Sequence, residues 1–250
     1  MARTLWVLAV ALVSSLACGF SVLVIAIFRS TSPLIDSIIR FWGRTIIRAA
    51  GIELRSEGLE RIRSDQRYIL VANHYSYLDI PCLFASIPQQ PIRFMAKKSL
   101  FSIPIFGWAL SRAGFIPIDR KDRRTAVKSF ELAVQRIRKG NTIVVFPEEG
   151  RTRVREMREF QRGGFLLAIR SELPIVPIAI DSTFDVLPVG SSRVKPGPVT
   201  VRIGAPITTR GLSVRDKQRL ALETRQQIGK MLFGDAWLDE KRPKGTDSDG

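Results

Sequence analysis

"YILVANHYSYLDIPCLFASI", residues 68–87, is the stretch from which the rest of the chain can be read. Its opening "YILVA" is continuously apolar, as a strand covered on both faces requires. "LDIPCLFASI" at its end reads as a helix. Between them, "NHYSYLD" (73–79) holds the single histidine, His74, with Asp79 five positions on. The order strand, turn, helix places this polar cluster at a strand end, where α/β proteins collect functional groups. Residues five apart do not share a face of one uninterrupted helix. His74 and Asp79 can therefore meet only if His74 lies in the turn before the helix.

The same alternation continues downstream. "IRFMA" (92–96), "GFIPI" (114–118), "TIVVF" (142–146), "PIVPIAI" (174–180) and "VTVRI" (199–203) read as further strands, most of them apolar on both faces. "DRRTAVKSFELAVQRIRKG" reads as a helix that Asp122 can cap and Gly140 stops. Its apolar stripe is Ala126, Val127, Phe130, Ala133, Val134 and Ile137. Ser213 can open a last helix that runs to about Phe233. No internal repeat is visible. The expected class is α/β: a single mixed sheet flanked by helices, preceded by an N-terminal membrane-associating helix pair. The chain divides into residues 1–50 (anchor and amphipathic helix), 51–234 (the globular α/β domain) and 235–250 (a polar tail expected to be disordered).

"LWVLAVALVSSLACGFSVLVIAIF" (5–28) contains no charged residue, and roughly 20 apolar residues suffice to cross a bilayer. The run exceeds the roughly 7–15 residues of a signal-peptide core, and ten apolar or small residues follow Cys18, which argues against lipoprotein processing at "SLAC". An uncleaved anchor is expected. In "SPLIDSIIRFWGRTIIRAAG", Ser32 is placed to cap, Pro33 to open and Gly51 to end a helix. Arg40, Arg44 and Arg48 share one face, while Ile35, Ile38, Ile39, Trp42 and Ile46 line another, so this helix is expected to lie in the membrane interface. The alternative is a helix packed on the globular domain. The cationic residues follow the apolar run, so the body is expected on the cytoplasmic side of an inner or plasma membrane.

The 250-residue chain carries 39 Lys and Arg against 23 Asp and Glu, a net charge of +16. Such an excess attracts a polyanion, and composition alone does not choose between nucleic acid and an anionic membrane surface. The apolar N-terminus favours the phospholipid surface, and no nucleic-acid-binding motif is present. Cys18 and Cys82 are isolated from each other, so neither a disulfide framework nor a metal site is expected.

Four segments at strand ends carry chemistry. In "NHYSYLD", an imidazole with a carboxylate to orient it can serve as a general base, though a lone histidine is more often structural and Asp79 could cap a helix. "GFIPIDR" (114–120) brings Arg120 to a strand end, where a guanidinium can grip phosphate. In "FPEEGRTR" (146–153), Gly150 permits close backbone approach or a positive φ. Arg151 and Arg153 can hold an anion there, and Glu148 can fix an arginine or accept a substrate hydroxyl. "LPIVPIAI" (173–180) carries two prolines that force an edge or a bulge, and it suits an apolar wall.

Taken in order and spacing, these four segments resemble the four motifs of the glycerolipid acyltransferase family, with the bacterial 1-acylglycerol-3-phosphate acyltransferases most similar within it. The resemblance covers roughly residues 55–207. It implies that His74 is the base and Asp79 its partner. It further implies that Arg120, Glu148, Gly150 and Arg151 bind the phosphorylated end of the acceptor and that Pro177 shapes the fourth motif. The family's third motif runs Phe-Pro-Glu-Gly; here Glu149 stands in the glycine's place, Gly150 follows and Arg151 is in register.

The implied reaction is direct transfer from an acyl thioester, carried by coenzyme A or acyl carrier protein as co-substrate with no bound cofactor, to the free hydroxyl of a lysophospholipid acceptor. A different lysolipid, such as a lyso-ornithine lipid or lysophosphatidylcholine, is the alternative acceptor. A nucleic-acid-binding protein and a non-catalytic membrane scaffold are the readings from other classes.

Overall fold

The computed structural model describes residues 1–30, 32–119, 123–235 and 237. Within them, one mixed sheet is built from β1 (Ile52–Glu57), β2 (Ile69–Ala72), β3 (Ile92–Lys97), β4 (Ile116–Ile118), β5 (Thr142–Val145), β6 (Ile175–Asp181) and β7 (Gly197–Ile203). The strand order is β1-β7-β6-β2-β5-β3-β4, and only the β6–β7 pair is antiparallel. The helices are α1 (Ala2–Phe28), α2 (Pro33–Ala50), α3 (Asp79–Ser86), α4 (Phe106–Ala113), α5 (Arg123–Arg138), α6 (Gly163–Ser171), α7 (Thr183–Val186) and α8 (Lys217–Phe233).

The central strands separate two apolar layers, which explains their continuous hydrophobicity. Leu70 and Ala72 of β2 join the layer beneath α1–α4, while Ile69 and Val71 join the one beneath α5, α6 and α8. Each fully buried Leu or Ile of this kind contributes about 1.5–3 kcal/mol over leaving it in water. The fourth segment, with its two prolines, forms an interior strand rather than an edge, and the bulge opposite it lies in the chain that follows β7. Ile178 pairs with Ile203 and Ile175 bridges to Ile207, so two residues of β6 oppose three of the partner. Pro177 carbonyl accepts from Gly204 N–H at 2.8 Å within that bulge. β1 was not anticipated. It is an edge strand in which only Ile52 is buried, and it is too exposed and too polar to show an apolar run.

α2 begins and ends as expected: Ser32 Oγ accepts from Leu34 N–H, Pro33 opens the helix and Gly51 closes it in the left-handed region at φ 72°. Its apolar stripe, however, is covered by protein rather than left for the membrane interface. Ile35, Ile46 and Ile47 are buried against α1 and α3, and Trp42 Nε1 donates to Ser15 Oγ of α1 at 3.0 Å. A Cβ on Gly43 would sit 2.9 Å from the Pro81 carbonyl oxygen, so α2 and α3 approach too closely there for any side chain. Buried Arg93 of β3 pairs with Asp36 of α2 at 2.7 Å and ties the helix to the sheet.

α1 is long and apolar enough to cross a membrane, with a mean hydropathy of 2.5 over its best window. It lies along the body: Thr4 Oγ1 accepts from Val194 N–H at 3.0 Å near one end, and Val22 and Ala26 are buried toward the other. Its opposite face exposes Trp6, Leu8, Leu12, Val13 and Phe20.

α5 follows its expected span, but Val127, placed on the apolar stripe by sequence, is 56% exposed. Asp122, expected to cap α5, lies outside the described residues. Ser213 caps a short 3-10 turn through a capping box with Asp216, and α8 follows directly. Of the expected polar tail, residues 236 and 238–250 lie outside the described residues.

Candidate active site

The site forms where β2 ends. Buried Asn73 extends the sheet with its side chain: Nδ2 donates to the Ile180 carbonyl at 2.9 Å, and Ile180 N–H donates to Oδ1 at 2.7 Å. The side-chain amide thus takes the place of a further rung between β2 and β6. The chain then leaves the sheet at His74, in the turn before α3, where the Asp79 spacing requires it. His74 Nδ1 lies 2.7 Å from Asp79 Oδ2. The same oxygen accepts Tyr75 N–H at 2.8 Å and Ser76 N–H at 2.9 Å, while Oδ1 accepts the Thr183 hydroxyl at 2.6 Å. Asp79 is fully buried, and the turn "HYSYLD" wraps around its carboxylate. It does not act as the N-cap of α3; Leu78 holds that position.

Such a carboxylate accepts a proton-bearing Nδ1, which fixes the neutral imidazole with its lone pair on Nε2. The ring is held flat against Phe146, centroids 4.0 Å apart, and Phe146 stacks in turn on Phe94 at 5.6 Å. The side chain retains 12% exposure, so one edge remains open to an incoming group.

Glu148 is 3% exposed and does not reach toward solvent. Its Oε1 accepts His74 N–H at 2.9 Å and its Oε2 accepts Arg158 N–H at 3.0 Å. Burial raises its carboxyl to about 7, against the opposing pull of those two N–H donors. Glu149 is exposed and adopts φ 55°, the left-handed region a glycine would favour, whereas Gly150 lies outside that region. The Arg151 guanidinium lies over the Tyr77 ring, 3.5 Å from its centroid, joining the third segment to the first. His74, Asp79, Glu148 and Arg151 are thus gathered at the ends of β2 and β5. Pro177, opposite Val71 inside the sheet, is architectural. Arg120 lies outside the described residues.

An apolar cavity of about 160 Å³ adjoins the aromatic stack. Gly19 and Val22 of α1, Trp42 of α2, Phe84 of α3, Phe94 and Leu110 are among its walls. Phe94 thus faces both the cavity and the stack that supports His74. Among the described residues no three His, Cys, Asp or Glu side chains are grouped to hold a metal ion.

A family model described as Acyltransferase matches residues 53–181, from β1 through the end of β6. The chain belongs to the acyltransferase family. Among similar proteins, the chloroplastic 1-acyl-sn-glycerol-3-phosphate acyltransferase BAT2 of Brassica napus is 35% identical over 60% of this chain and 44% of its own length. The 1-acyl-sn-glycerol-3-phosphate acyltransferase alpha of Mus musculus is 32% identical over 71% of this chain and 63% of its own. The crystal structure of the 1-acyl-sn-glycerophosphate (LPA) acyltransferase PlsC of Thermotoga maritima superposes with a TM-score of 0.78. It covers 97% of this chain and 96% of that one at 23% identity, a likeness of fold. The match spans less than half the length of the first curated relatives, at 44% and 44%.

For an acyltransferase, the arrangement offers an oriented base, an apolar cavity beside it and Arg151 stacked on Tyr77 nearby. Sequence reading missed three supports. Thr183 is 104 residues from the aspartate it bonds, and nothing local marks it. Phe146 reads only as the end of a strand. Asn73 reads as a turn residue, although a polar amide directly after a buried strand was a usable signal.

Proposed function

We propose that this acyltransferase moves a fatty acyl group from an acyl thioester to the free hydroxyl of 1-acylglycerol-3-phosphate, producing phosphatidic acid for phospholipid synthesis. The observation that carries the reading is the 2.7 Å contact between His74 Nδ1 and a buried Asp79 carboxylate that is itself fixed by three other donors. The acceptor is taken from the similar proteins, which are 1-acyl-sn-glycerol-3-phosphate acyltransferases.

In the reaction, the lipid hydroxyl gives its proton to His74 Nε2 as its oxygen attacks the thioester carbonyl. Asp79 stabilises the imidazolium that results. Collapse of the tetrahedral intermediate breaks the carbon–sulfur bond, and the departing thiolate takes the proton from Nε2. A free thiol and phosphatidic acid leave, and the base is restored. General-base catalysis supplies about 10²–10⁴-fold. Alignment of two lipidic substrates beside the imidazole supplies much of the rest. Arg151, with Arg120 of the second motif, holds the phosphate. The apolar cavity behind Phe94 suits an acyl chain, and the carrier of the thioester is coenzyme A or acyl carrier protein.

The exposed apolar face of α1 supports membrane association. Because both ends of α1 touch the body, the helix beds into the bilayer with the catalytic domain against the cytoplasmic surface. Juxtamembrane Lys and Arg each add about 1 kcal/mol of attraction to an anionic surface.

The test is free-thiol release by protein purified in detergent, with acyl-CoA and several lysolipids offered separately. Lysophosphatidate should be the preferred acceptor, and His74→Ala should abolish turnover while leaving the melting transition intact. Near-normal turnover in folded His74→Ala would falsify the mechanism. The carboxylate of Glu149 at the rim favours a second reading, in which the acceptor head group is less anionic. A preference for lysophosphatidylcholine or a lyso-ornithine lipid in the same assay would select it.

A further inference from the structure

We propose that Arg158, on the strap between β5 and α6, is a further head-group-binding residue that closes over Gly150 and supplies a second guanidinium to the acceptor's phosphate. The inference rests on the lysophosphatidate reading and adds to it a residue outside the four motif segments.

A Cβ built on Gly150 would meet a single neighbour within 4 Å, the Arg158 Nη1 at 3.8 Å. The glycine therefore opens a space that is bounded, among the described residues, by one guanidinium. Among the described residues that guanidinium makes no side-chain hydrogen bond, and its charge acts on the buried Glu148 carboxyl. No ion pair between described residues involves Arg158. Its neighbour on the strap, Arg155, is by contrast engaged by Asp181 at 2.7 Å and Asp185 at 3.8 Å.

The main chain of Arg158 is pinned from both sides. Its N–H donates to Glu148 Oε2 at 3.0 Å and its carbonyl accepts from Arg225 Nε at 3.0 Å. Arg225 Nη2 also holds the preceding Met157 carbonyl at 3.0 Å. Only the side chain remains to be ordered when an anion arrives, which lowers the entropy cost of using it. The other oxygen of Glu148 holds the main-chain N–H of His74 at 2.9 Å. One buried carboxylate thus fixes the distance between the base and the root of this arginine.

The chemistry calls for a second cation. A phosphate monoester carries about −1.5 to −2 charges and three acceptor oxygens near neutrality. Arg151 spends one face of its guanidinium on the Tyr77 ring. Two arginines arranged around a glycine can satisfy the three oxygens and leave the acceptor's hydroxyl free to turn toward His74.

The test compares kcat/KM for lysophosphatidate with that for monoacylglycerol, which lacks the phosphate, in wild type, Arg158→Ala and Arg158→Lys. Arg215→Ala, on the turn before α8, controls for the loss of one positive charge. Because the brace to Glu148 uses the Arg158 backbone, truncating the side chain spares it. The lysophosphatidate-to-monoacylglycerol ratio should fall about ten- to a hundredfold in Arg158→Ala, the worth of one charge-assisted hydrogen bond, mainly through KM. Arg158→Lys should recover part of it, and Arg215→Ala should leave the ratio within about twofold. An unchanged ratio in Arg158→Ala, with wild type active on lysophosphatidate, overturns the inference. So does an equal loss on both acceptors, which marks a structural role. A wild type that acylates monoacylglycerol but not lysophosphatidate defeats the substrate reading itself and takes this inference with it.

Discussion

Glu148 grips His74 by its backbone: Oε1 accepts the His74 N–H at 2.9 Å, while the ring is left to Asp79 and Phe146. A glutamate in the third segment therefore positions the main chain from which the base projects, and its second oxygen positions Arg158. This is a different use of the residue from direct contact with a substrate hydroxyl. It also places a carboxyl in an apolar setting beside Asp79 and Tyr75, with the charge of Arg158 as partial compensation.

The pH dependence of stability follows. Burial raises the Glu148 carboxyl from 4.5 to about 7. A raised native pKa means that the folded state binds more protons than the unfolded state between those values, so stability falls as pH rises through the window. The contribution of protonated Glu148 is complete below 4.5 and lost above about 7. Glu148→Gln, which cannot ionise, should lose this component. The melting temperature of wild type relative to the variant should fall between pH 5 and pH 8. A difference that stays constant over that range, in the same detergent, removes the assignment.

Thr183 should matter to turnover although it lies far from the motifs in sequence. Its hydroxyl donates to the buried Asp79 Oδ1 at 2.6 Å. Thr183→Val preserves shape and leaves that oxygen without its donor, at a cost of about 1–3 kcal/mol. Part of the loss appears as a less well-held imidazole, so kcat should fall about tenfold with little change in KM. Thr183→Ser should retain most activity. Wild-type kcat in the valine variant would show that the backbone donors alone orient Asp79.

Much of this architecture is legible in the sequence, for a definable reason. Strands buried on both faces, such as "YILVA" and "TIVVF", must be apolar throughout, and that pattern survives without context. β1 escapes because an edge strand carrying Glu53, Arg55 and Glu57 has no such requirement. The apolar stripe of α2 was visible, but its amphipathicity fits a membrane surface and a protein surface equally well. The burial of Ile35, Ile46 and Ile47 and the close approach of Gly43 to Pro81 separate the two. The burial of Glu148 was hidden by its setting, since a glutamate among arginines reads as solvated until its backbone partners are placed. The His74–Asp79 pair was legible because the turn between them is local. Its third member, on α7, was not.

Glu149 provides a conformational test. A residue with a Cβ at φ 55° carries roughly 1–2 kcal/mol of left-handed strain, which glycine avoids. Glu149→Gly should be neutral or stabilising by up to about 1 kcal/mol, because the relief is partly offset by the entropy of a freer unfolded chain. Glu149→Val, β-branched, should cost more than about 1 kcal/mol. Thermal melting of the three proteins ranks them, and valine melting no lower than glycine would mean that the loop relaxes away from the left-handed region.

The attachment of the N-terminal helix pair to the sheet can be tested through Arg93 and Asp36. Arg93 is 7% exposed, pairs with Asp36 at 2.7 Å, and donates to the carbonyls of Ala113 and Ile92. Removing the arginine alone leaves a carboxylate in a half-closed site and takes a donor from each of two carbonyls. Arg93→Ala should therefore cost about 3 kcal/mol or more. Replacing both partners with apolar groups, Arg93→Met with Asp36→Leu, should cost less than the single change, because the desolvated charges go together. A double variant as unstable as the sum of its singles would mean that the two residues act independently. The grip of α2 on the catalytic domain would then rest on the Gly43 contact and the isoleucines of its buried stripe.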